Sequence, residues 1–553
     1  MRRKSFPVVL SIVSLVMLMA AATWTEAARA AARKSAPASR PAAAPALTGA
    51  DALRADLERI LAETGLPKTS VSARVLVLPE ASGRIPAEAL WAVRADAPMV
   101  PASTMKLVTT AACFDRFGPE WRIRTSIGRL PAAAGFARAE PALGGAKPGG
   151  QAKWDLAVIG GGDPNFSGRF FGRDPVGAFR RWADVLKARG VTAVGRIVLD
   201  DTLFDDVLQH PHWPPDQRAE WYEAPVSALS LNDNCVDIHV APGRVGEPAA
   251  VRLEPAGGYV AVDGTILTVA DRKDHAFSIE RIPEAAAGAA MRLKVSGRFW
   301  LQAPEAVEYR TVVNPTMFFG AALAETLRDE GIAVAGPIAR ERIEDKGGKA
   351  RPDFLCDVIH ATRLDQTVAV ANKRSQGLYA ECLLKILGAF GPQARKSAAS
   401  ESVKDEIRLP PDQGSWPAGA AEAMRWMAER GIPTDGCVMD DGSGLSKENR
   451  LTAIAVTELL SVMYQRHGDA FVETLSVAGQ DGSLAKRLQN TPADGRVFGK
   501  TGYVFGTSAL SGYVRTRSGR TIAFSLIMND VPWGELWKAR LAQDKACLRM
   551  VDY

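Results

Sequence analysis

The stretch GRVFGKTGYVFG, residues 495–506, decides how the rest of the chain is read. Its Gly499-Lys500-Thr501 could end a phosphate-binding loop. Its Lys500-Thr501-Gly502 could instead sit on a strand beside a serine nucleophile. A phosphate loop needs G-x-x-x-x-G-K-[ST] after a strand and before a helix. Here Asp494 stands where the first glycine belongs, and GYVFGTSALSGYV is strand-like with glycine bends rather than helical. The phosphate-loop reading fails on both counts.

The serine reading requires a partner elsewhere. In Ser-x-x-Lys the two side chains lie about one helical turn apart on one face. A helix start also offers free N–H groups and a positive dipole end to a developing oxyanion. VPASTMKLVTT supplies the pair as Ser103 and Lys106, directly after a Pro-Ala turn. TMKLVTTAACFDRFG (104–118) reads as a helix stopping at Gly118. SARVLVLP (72–79) and ALWAVRAD (89–96) read as a hairpin before it, and SALSGYVRT (508–516) with TIAFSLIM (521–528) as a closing antiparallel pair.

Three segments share one local grammar of amphipathic helix, glycine stop, second glycine and strand or loop. They run from Asp174-Pro175 through Gly190 and Gly195, from Met317 through Gly331 and Gly336, and from Ala418 through Gly431 and Gly436. Asp174 is read as an N-cap with Pro175 at the first helical position, and the glycines as left-handed helix stops. Residues 235–313 read as rich in strands. Trp182, Phe318 and Phe319 fall at helical spacing and are assigned to the core.

The 553 residues are 47% hydrophobic and 24% charged, which is ample for two to four packed domains. The net charge is +6 and falls to +3 without residues 1–30, and no basic cluster beyond the N-terminus resembles a nucleic-acid footprint. Arg2, Arg3 and Lys4 precede a nearly unbroken apolar run, Val8 to Ala22, and Ala28-Arg29-Ala30 fits a cleavage site. This is a secretory signal pattern over 1–30, with an uncleaved anchor as the competing reading. Both place the remainder in an exported, periplasm-like compartment. An Ala/Pro-rich linker, 31–49, follows. The six cysteines lack any C-x-x-C, and disulfides and buried thiols are equally compatible with their spacing. His210 and His212 are the only close histidine pair. Without a cysteine or carboxylate at metal spacing they make a poor zinc site.

Eight blocks in order carry a resemblance: PASTMKL (101–107), GGGDPNF (160–166), VLDDTLFD (198–205), APVSALSLNDN (224–234), NKRSQGLYAE (372–381), DDGSGLSKENR (440–450), VAGQDGSL (477–484) and GKTG with SALSGYV (499–514). With them the chain resembles the class C, type-4 penicillin-binding proteins, the D-alanyl-D-alanine carboxypeptidase/endopeptidase family, over roughly 50 to 550. The resemblance implies an α/β (α+β) transpeptidase-like domain, related to β-lactamases, in two parts (50–120 and 361–553). A large insertion (121–360) would form one or two additional mostly β or αβ domains.

The same resemblance implies acyl-enzyme chemistry on peptidoglycan stem peptides ending in D-Ala-D-Ala, with β-lactams as covalent inhibitors and no metal or organic cofactor. Ser103 is the implied nucleophile, Lys106 its base, made neutral by burial and by the cation at Lys500, and Ser375 the proton relay. Lys500 and Thr501 would hold the substrate carboxylate. Gly502 would leave room for substrate backbone, and the N–H groups of Ser103 and Tyr503 would form the oxyanion hole. One position departs from the family pattern Ser-x-Asn: Ser375-Gln376-Gly377 carries glycine, and Asn372 or Gln376 is the nearest substitute amide. GGGDPN is read as a tight turn, and DGSGLS, with Ser443, as a structural lining segment. Two other functions compete: a site-impaired cell-wall scaffold, whose support is Gly377, and a serine β-lactamase, which the large insertion disfavours. The expectation allows peripheral membrane association and leaves oligomeric state open.

Overall fold

The computed structural model describes residues 49–79, 87–132, 152–282, 291–345, 348–398 and 413–553. The leader and nearly all of the Ala/Pro-rich linker lie outside the described residues. Among the described residues, no helix is long and apolar enough to cross a membrane.

An antiparallel six-stranded sheet joins the early and late parts of the chain. Its order is Ser476–Val477, Val497–Val504, Thr507–Arg515, Thr521–Met528, Val71–Val77, Glu88–Val93. The hairpin and the closing pair expected from sequence are both present, and they meet where Val71–Val77 pairs with Thr521–Met528, so the early and late chain share one sheet. Val71–Val77 is almost wholly buried because both of its faces are covered. One face packs Leu57, Val75, Leu510, Phe524 and Cys547, which brings in the helices Ala50–Ala62 and Leu536–Val551.

The opposite side of the sheet carries a helical layer. Lys106–Phe117 is buried along nearly its whole length among Gly377–Ala398, Trp416–Glu429 and Ala453–His467. Gly118 ends it at φ +85°, where any other residue would be strained. Ser415 and Thr452 cap the starts of their helices by accepting from Ala418 N and Ala455 N.

Strand Arg122–Pro131 leaves this domain and pairs antiparallel with Leu355–Arg363, Arg122 opposite Arg363, so the chain departs and returns at neighbouring points. Both belong to a five-stranded sheet ordered Ile338–Arg340, Ile197–Asp200, Trp154–Ile159, Arg122–Pro131, Leu355–Arg363. Helices Gly177–Ala188 and Pro315–Asp329 cover it, with Trp182, Phe318 and Phe319 in the core as expected. The strand-rich region 235–313 forms two three-stranded sheets.

The repeated local grammar has a structural counterpart. The short strands after the first two helices, Ala193–Val194 and Ala333–Val334, pair in parallel. Gly190, Gly331 and Gly431 take positive φ after their helices, as expected. Gly195 differs: a Cβ there would lie 2.4 Å from an Asp155 carboxylate oxygen, so close packing rather than a helix stop requires glycine. Asp174 is not the N-cap. Its carboxylate accepts from Val176 N (3.0 Å) in a turn, and the helix starts at Gly177, because Pro175 is used in the turn instead. All six cysteines are free thiols.

Candidate active site

Ser103 sits in a short 3₁₀ turn, Ala102–Met105, that runs directly into the Lys106–Phe117 helix. The turn is held from several sides. Thr104 Oγ1 donates to Pro101 O (2.6 Å), and the Asn529 side chain clamps Val100 through both its N–H (2.9 Å) and its carbonyl (3.0 Å). Ala102 takes φ +47° and Ser375 φ +56°, sparsely populated for residues with a side chain. Such strain persists where surrounding contacts over-determine the backbone.

Lys106 is buried, and its Nζ lies 3.1 Å from Ser103 Oγ and 2.7 Å from the carbonyl oxygen of Ser443. Lys500 is also buried, and its Nζ lies 2.7 Å from Ser375 Oγ and 2.7 Å from its neighbour's carbonyl at Thr501. Thr501 Oγ1 donates to Ser483 Oγ (2.8 Å). Among the described residues, neither lysine has a carboxylate within ion-pair distance. Two buried amines without an anion form a site that favours a carboxylate-bearing ligand.

Burial pushes the Lys106 ammonium down to about 8, against the opposing pull of the Glu381 and Asp441 carboxylates. The sequence expectation assigned part of this shift to Lys500, and repulsion between two neighbouring ammonium groups acts on both of them. Burial first, and the charge of Lys106 second, hold Lys500 well below the ordinary lysine range.

The Val497–Val504 strand presents its outer edge to this cleft. Ser476–Val477 covers only Phe498 and Gly499, which leaves the edge from Lys500 to Val504 without a strand partner among the described residues. An extended peptide can add there through backbone hydrogen bonds. Gly502 also has a packing reason to be glycine. A Cβ at Gly502 would stand 2.7 Å from Pro101 O and 3.2 Å from Thr104 N. Glycine therefore lets the strand press against the turn that holds Ser103. Tyr503 follows, exposed, with the Arg540 guanidinium 5.7 Å from its ring centroid.

The segment DGSGLS (441–446), read from sequence as structural lining, lines the site through its backbone and supplies the carbonyl that holds Lys106. The buried Glu381 carboxylate accepts from Gly442 N (2.9 Å), Ser443 N (2.7 Å) and Trp416 Nε1 (2.8 Å). Asp441 accepts from Gly444 N (2.7 Å) and Ser446 N (2.7 Å) and from Trp213 Nε1 (2.8 Å). Burial and the nearby Asp441 raise Glu381 to about 7. A backbone carbonyl leaves no trace in residue identity, so only the position of Glu381 inside the block NKRSQGLYAE hinted at it.

Gly377 opens the Gly377–Ala398 helix beside this loop. A Cβ there would lie 3.2 Å from Tyr222 O and 3.9 Å from Ser443 Cβ. Neither amide considered as its substitute turns toward Lys106. Asn372 accepts from Thr110 Oγ1 (3.3 Å) and donates to Thr474 Oγ1 (3.1 Å), fully buried, and Gln376 donates to Asp233, which also pairs with Arg169. Among the described residues the buried Ser443 hydroxyl makes no hydrogen bond of good geometry, and the Glu381 carboxylate lies beside it. In GGGDPN the turn reading holds: Asn165 N donates to Asp163 Oδ1 (2.9 Å), and a Cβ at Gly161 would overlap Arg124 O.

The chain is similar to proteins of known kind along nearly its whole length. It is 30% identical over 519 residues to a D-alanyl-D-alanine carboxypeptidase of Actinomadura sp. strain R39, covering 91% of this chain and 85% of that one. It is 24% identical over 462 residues to the penicillin-sensitive carboxypeptidase A of Dictyostelium discoideum, covering 78% of each. Its fold matches the crystal structure of penicillin binding protein 4 from Haemophilus influenzae, with a TM-score of 0.67 at 19% identity over 90% of this chain and 99% of that one. The family model for D-Ala-D-Ala carboxypeptidase 3 (S13) matches residues 53–545, and the chain belongs to that family.

Proposed function

We propose that this protein is a serine D-alanyl-D-alanine carboxypeptidase that cleaves peptidoglycan stem peptides through an acyl-enzyme and is acylated by β-lactams. The observation that carries the reading is the pairing of Ser103 with Lys106, an amine whose proton affinity burial lowers, in a cleft shared with a second buried amine, Lys500. The substrate lies along the free edge of Val497–Val504, and its terminal carboxylate meets Lys500 and Thr501. That carboxylate favours the protonated form of Lys500.

Lys106, as the free amine, takes the Ser103 hydroxyl proton while Oγ attacks the penultimate carbonyl carbon. The N–H groups of Ser103 and Tyr503 receive the oxyanion. As the tetrahedral intermediate collapses, the C–N bond breaks. The leaving D-Ala nitrogen takes a proton through Ser375, which Lys500 replenishes. The proton that Lys106 took from Ser103 passes on to Lys500, so that both amines return to their starting states. Water then attacks the ester, with Lys106 again as base, and releases the shortened peptide and free Ser103. In the β-lactam reaction the ring amide opens and its nitrogen remains tethered.

The remaining expectations belong to the same proposal. Residues 1–30 direct export to the periplasm or an equivalent space, 31–49 tether the body, and 121–360 are inserted between the two parts of the catalytic domain. The pairing of Arg122–Pro131 with Leu355–Arg363 supports that division. Cleavage of D,D-crosslinks is a second activity that the open strand edge permits.

Gly377 favours one alternative, an impaired enzyme retained as a wall-binding scaffold. The missing amide removes about 1–3 kcal/mol of polar contact, or roughly ten- to a hundred-fold in rate. The deciding experiment measures D-Ala released from a diacyl-Lys-D-Ala-D-Ala peptide by wild type and by Ser103→Ala. Release by wild type alone supports the enzyme. No release by wild type, with peptidoglycan still bound, supports the scaffold.

A further inference from the structure

His210 and His212 lie in a segment that packs against the loop carrying Asp440 and Asp441, and the sequence offered them no nearby carboxylate. The fold supplies one from 228 residues away. His212 Nδ1 stands 3.0 and 3.1 Å from the two carboxylate oxygens of Asp440, and His210 Nδ1 stands 3.7 Å from the nearer of them. The ligand atoms of all three residues fall within 4.8 Å of one another.

These spacings suit a metal ion. With bonds of about 2.0–2.1 Å to nitrogen and oxygen, ligand atoms at the corners of a tetrahedron stand about 3.3 Å apart. A simple imidazole–carboxylate hydrogen bond favours one oxygen, whereas here both are nearly equidistant from Nδ1. His210 Nδ1 accepts a long 3.3 Å contact from His212 N–H and faces the Asp440 carboxylate.

The groups behind the ligands are organised. Ser446 Oγ donates to Asp440, and Asp440 N donates to Asn449 Oδ1 (2.8 Å), which fixes the carboxylate. His210 is buried, with Trp416 edge-on at 5.1 Å and Trp213 at 6.0 Å, so its ring cannot swing freely. Such support orients ligands and shields a metal. His212 is exposed, leaving the fourth corner open to water.

We propose that His210, His212 and Asp440 bind one divalent transition ion of the zinc class, with solvent as the fourth ligand. Two imidazoles and one carboxylate form a donor set that suits zinc and cobalt over calcium or magnesium. The ion ties the 208–213 segment to the loop whose Ser443 carbonyl holds Lys106, and so acts as a staple beside the catalytic cleft rather than as a participant in acyl transfer.

The test uses the full mature chain without a histidine tag, stripped with chelator and titrated with Co²⁺ in the visible and with Zn²⁺ by calorimetry. One equivalent binds, with four-coordinate cobalt bands and a rise in melting temperature. His212→Ala, at an exposed position, and Asp440→Asn each weaken binding at least about tenfold, while penicillin acylation confirms that the variants are folded. Absence of saturable uptake tighter than about 100 μM, or uptake unchanged in both variants, overturns the site. Because the readout is the ion, its failure is distinguishable from failure of the carboxypeptidase reading.

Discussion

Lys106 Nζ lies 2.7 Å from the carbonyl oxygen of Ser443, 337 residues later in the chain, and 3.1 Å from Ser103 Oγ. One amine thus bridges the nucleophile and a loop that the late chain delivers. The carbonyl takes one direction of Nζ, so the remaining directions include the serine. Burial sets the charge of that amine, and the carboxylates behind the loop oppose the effect.

The pH dependence of acylation follows from this balance. Lys106 must be neutral to act as base, and it loses its proton near pH 8. The acylation rate constant should rise about tenfold per pH unit well below that value and level off above it. Stopped-flow acylation by a chromogenic β-lactam across pH 5.5–9.5 (a span of roughly four units) measures the limb. A flat profile through this span would rule out Lys106 as the titrating base.

Glu381→Gln removes the buried charge that favours protonated Lys106. The rising limb should move to lower pH. Stability should also fall, by about 1–3 kcal/mol, because a single amide oxygen cannot accept from Gly442 N, Ser443 N and Trp416 Nε1 together. Denaturant midpoints and the pH profile of the same variant separate the two effects. A limb that moves upward would contradict the electrostatic assignment.

Gly502→Ala places a methyl group 2.7 Å from Pro101 O. The strand must shift away from the Ser103 turn, at about 1–3 kcal/mol for overpacking, and acylation should slow by at least about tenfold. Tyr503→Ala keeps the backbone N–H and should leave the acylation rate within about threefold of wild type. Equal rates for Gly502→Ala and wild type would show that strand and turn do not work as one unit.

Gly377→Asn tests the altered position directly. Its Cβ meets Tyr222 O at 3.2 Å, which requires a shift of a few tenths of an ångström, and its amide can reach toward the buried Ser443 hydroxyl. Peptide turnover should increase by about tenfold, matching roughly one hydrogen bond. Unchanged turnover with an intact fold would mean that the glycine is not a deficit in this cleft.

Much of the site was legible because its first pair is local. Ser103 and Lys106 are three residues apart at a helix start, so spacing alone puts them on one face. Ser375, Lys500 and Thr501 follow from the order of blocks along the chain, and the fold brings Ser375 to Lys500. What escaped was encoded over distance or in the backbone. The Ser443 carbonyl has no side-chain signature. The packing reason for Gly502 depends on Pro101, which only the folded sheet brings near. Asp440 reaches His212 from another part of the chain. Local chemistry misled at Asp174, where proline joined a turn rather than starting the helix.

Intact-protein mass spectrometry after exposure to benzylpenicillin, followed by mapping of the modified peptide, tests the central claim most directly. The account predicts one adduct equal in mass to the antibiotic, carried by the peptide that contains Ser103 and absent from Ser103→Ala. A wild-type protein of unchanged mass, or an adduct on any other residue, would contradict it.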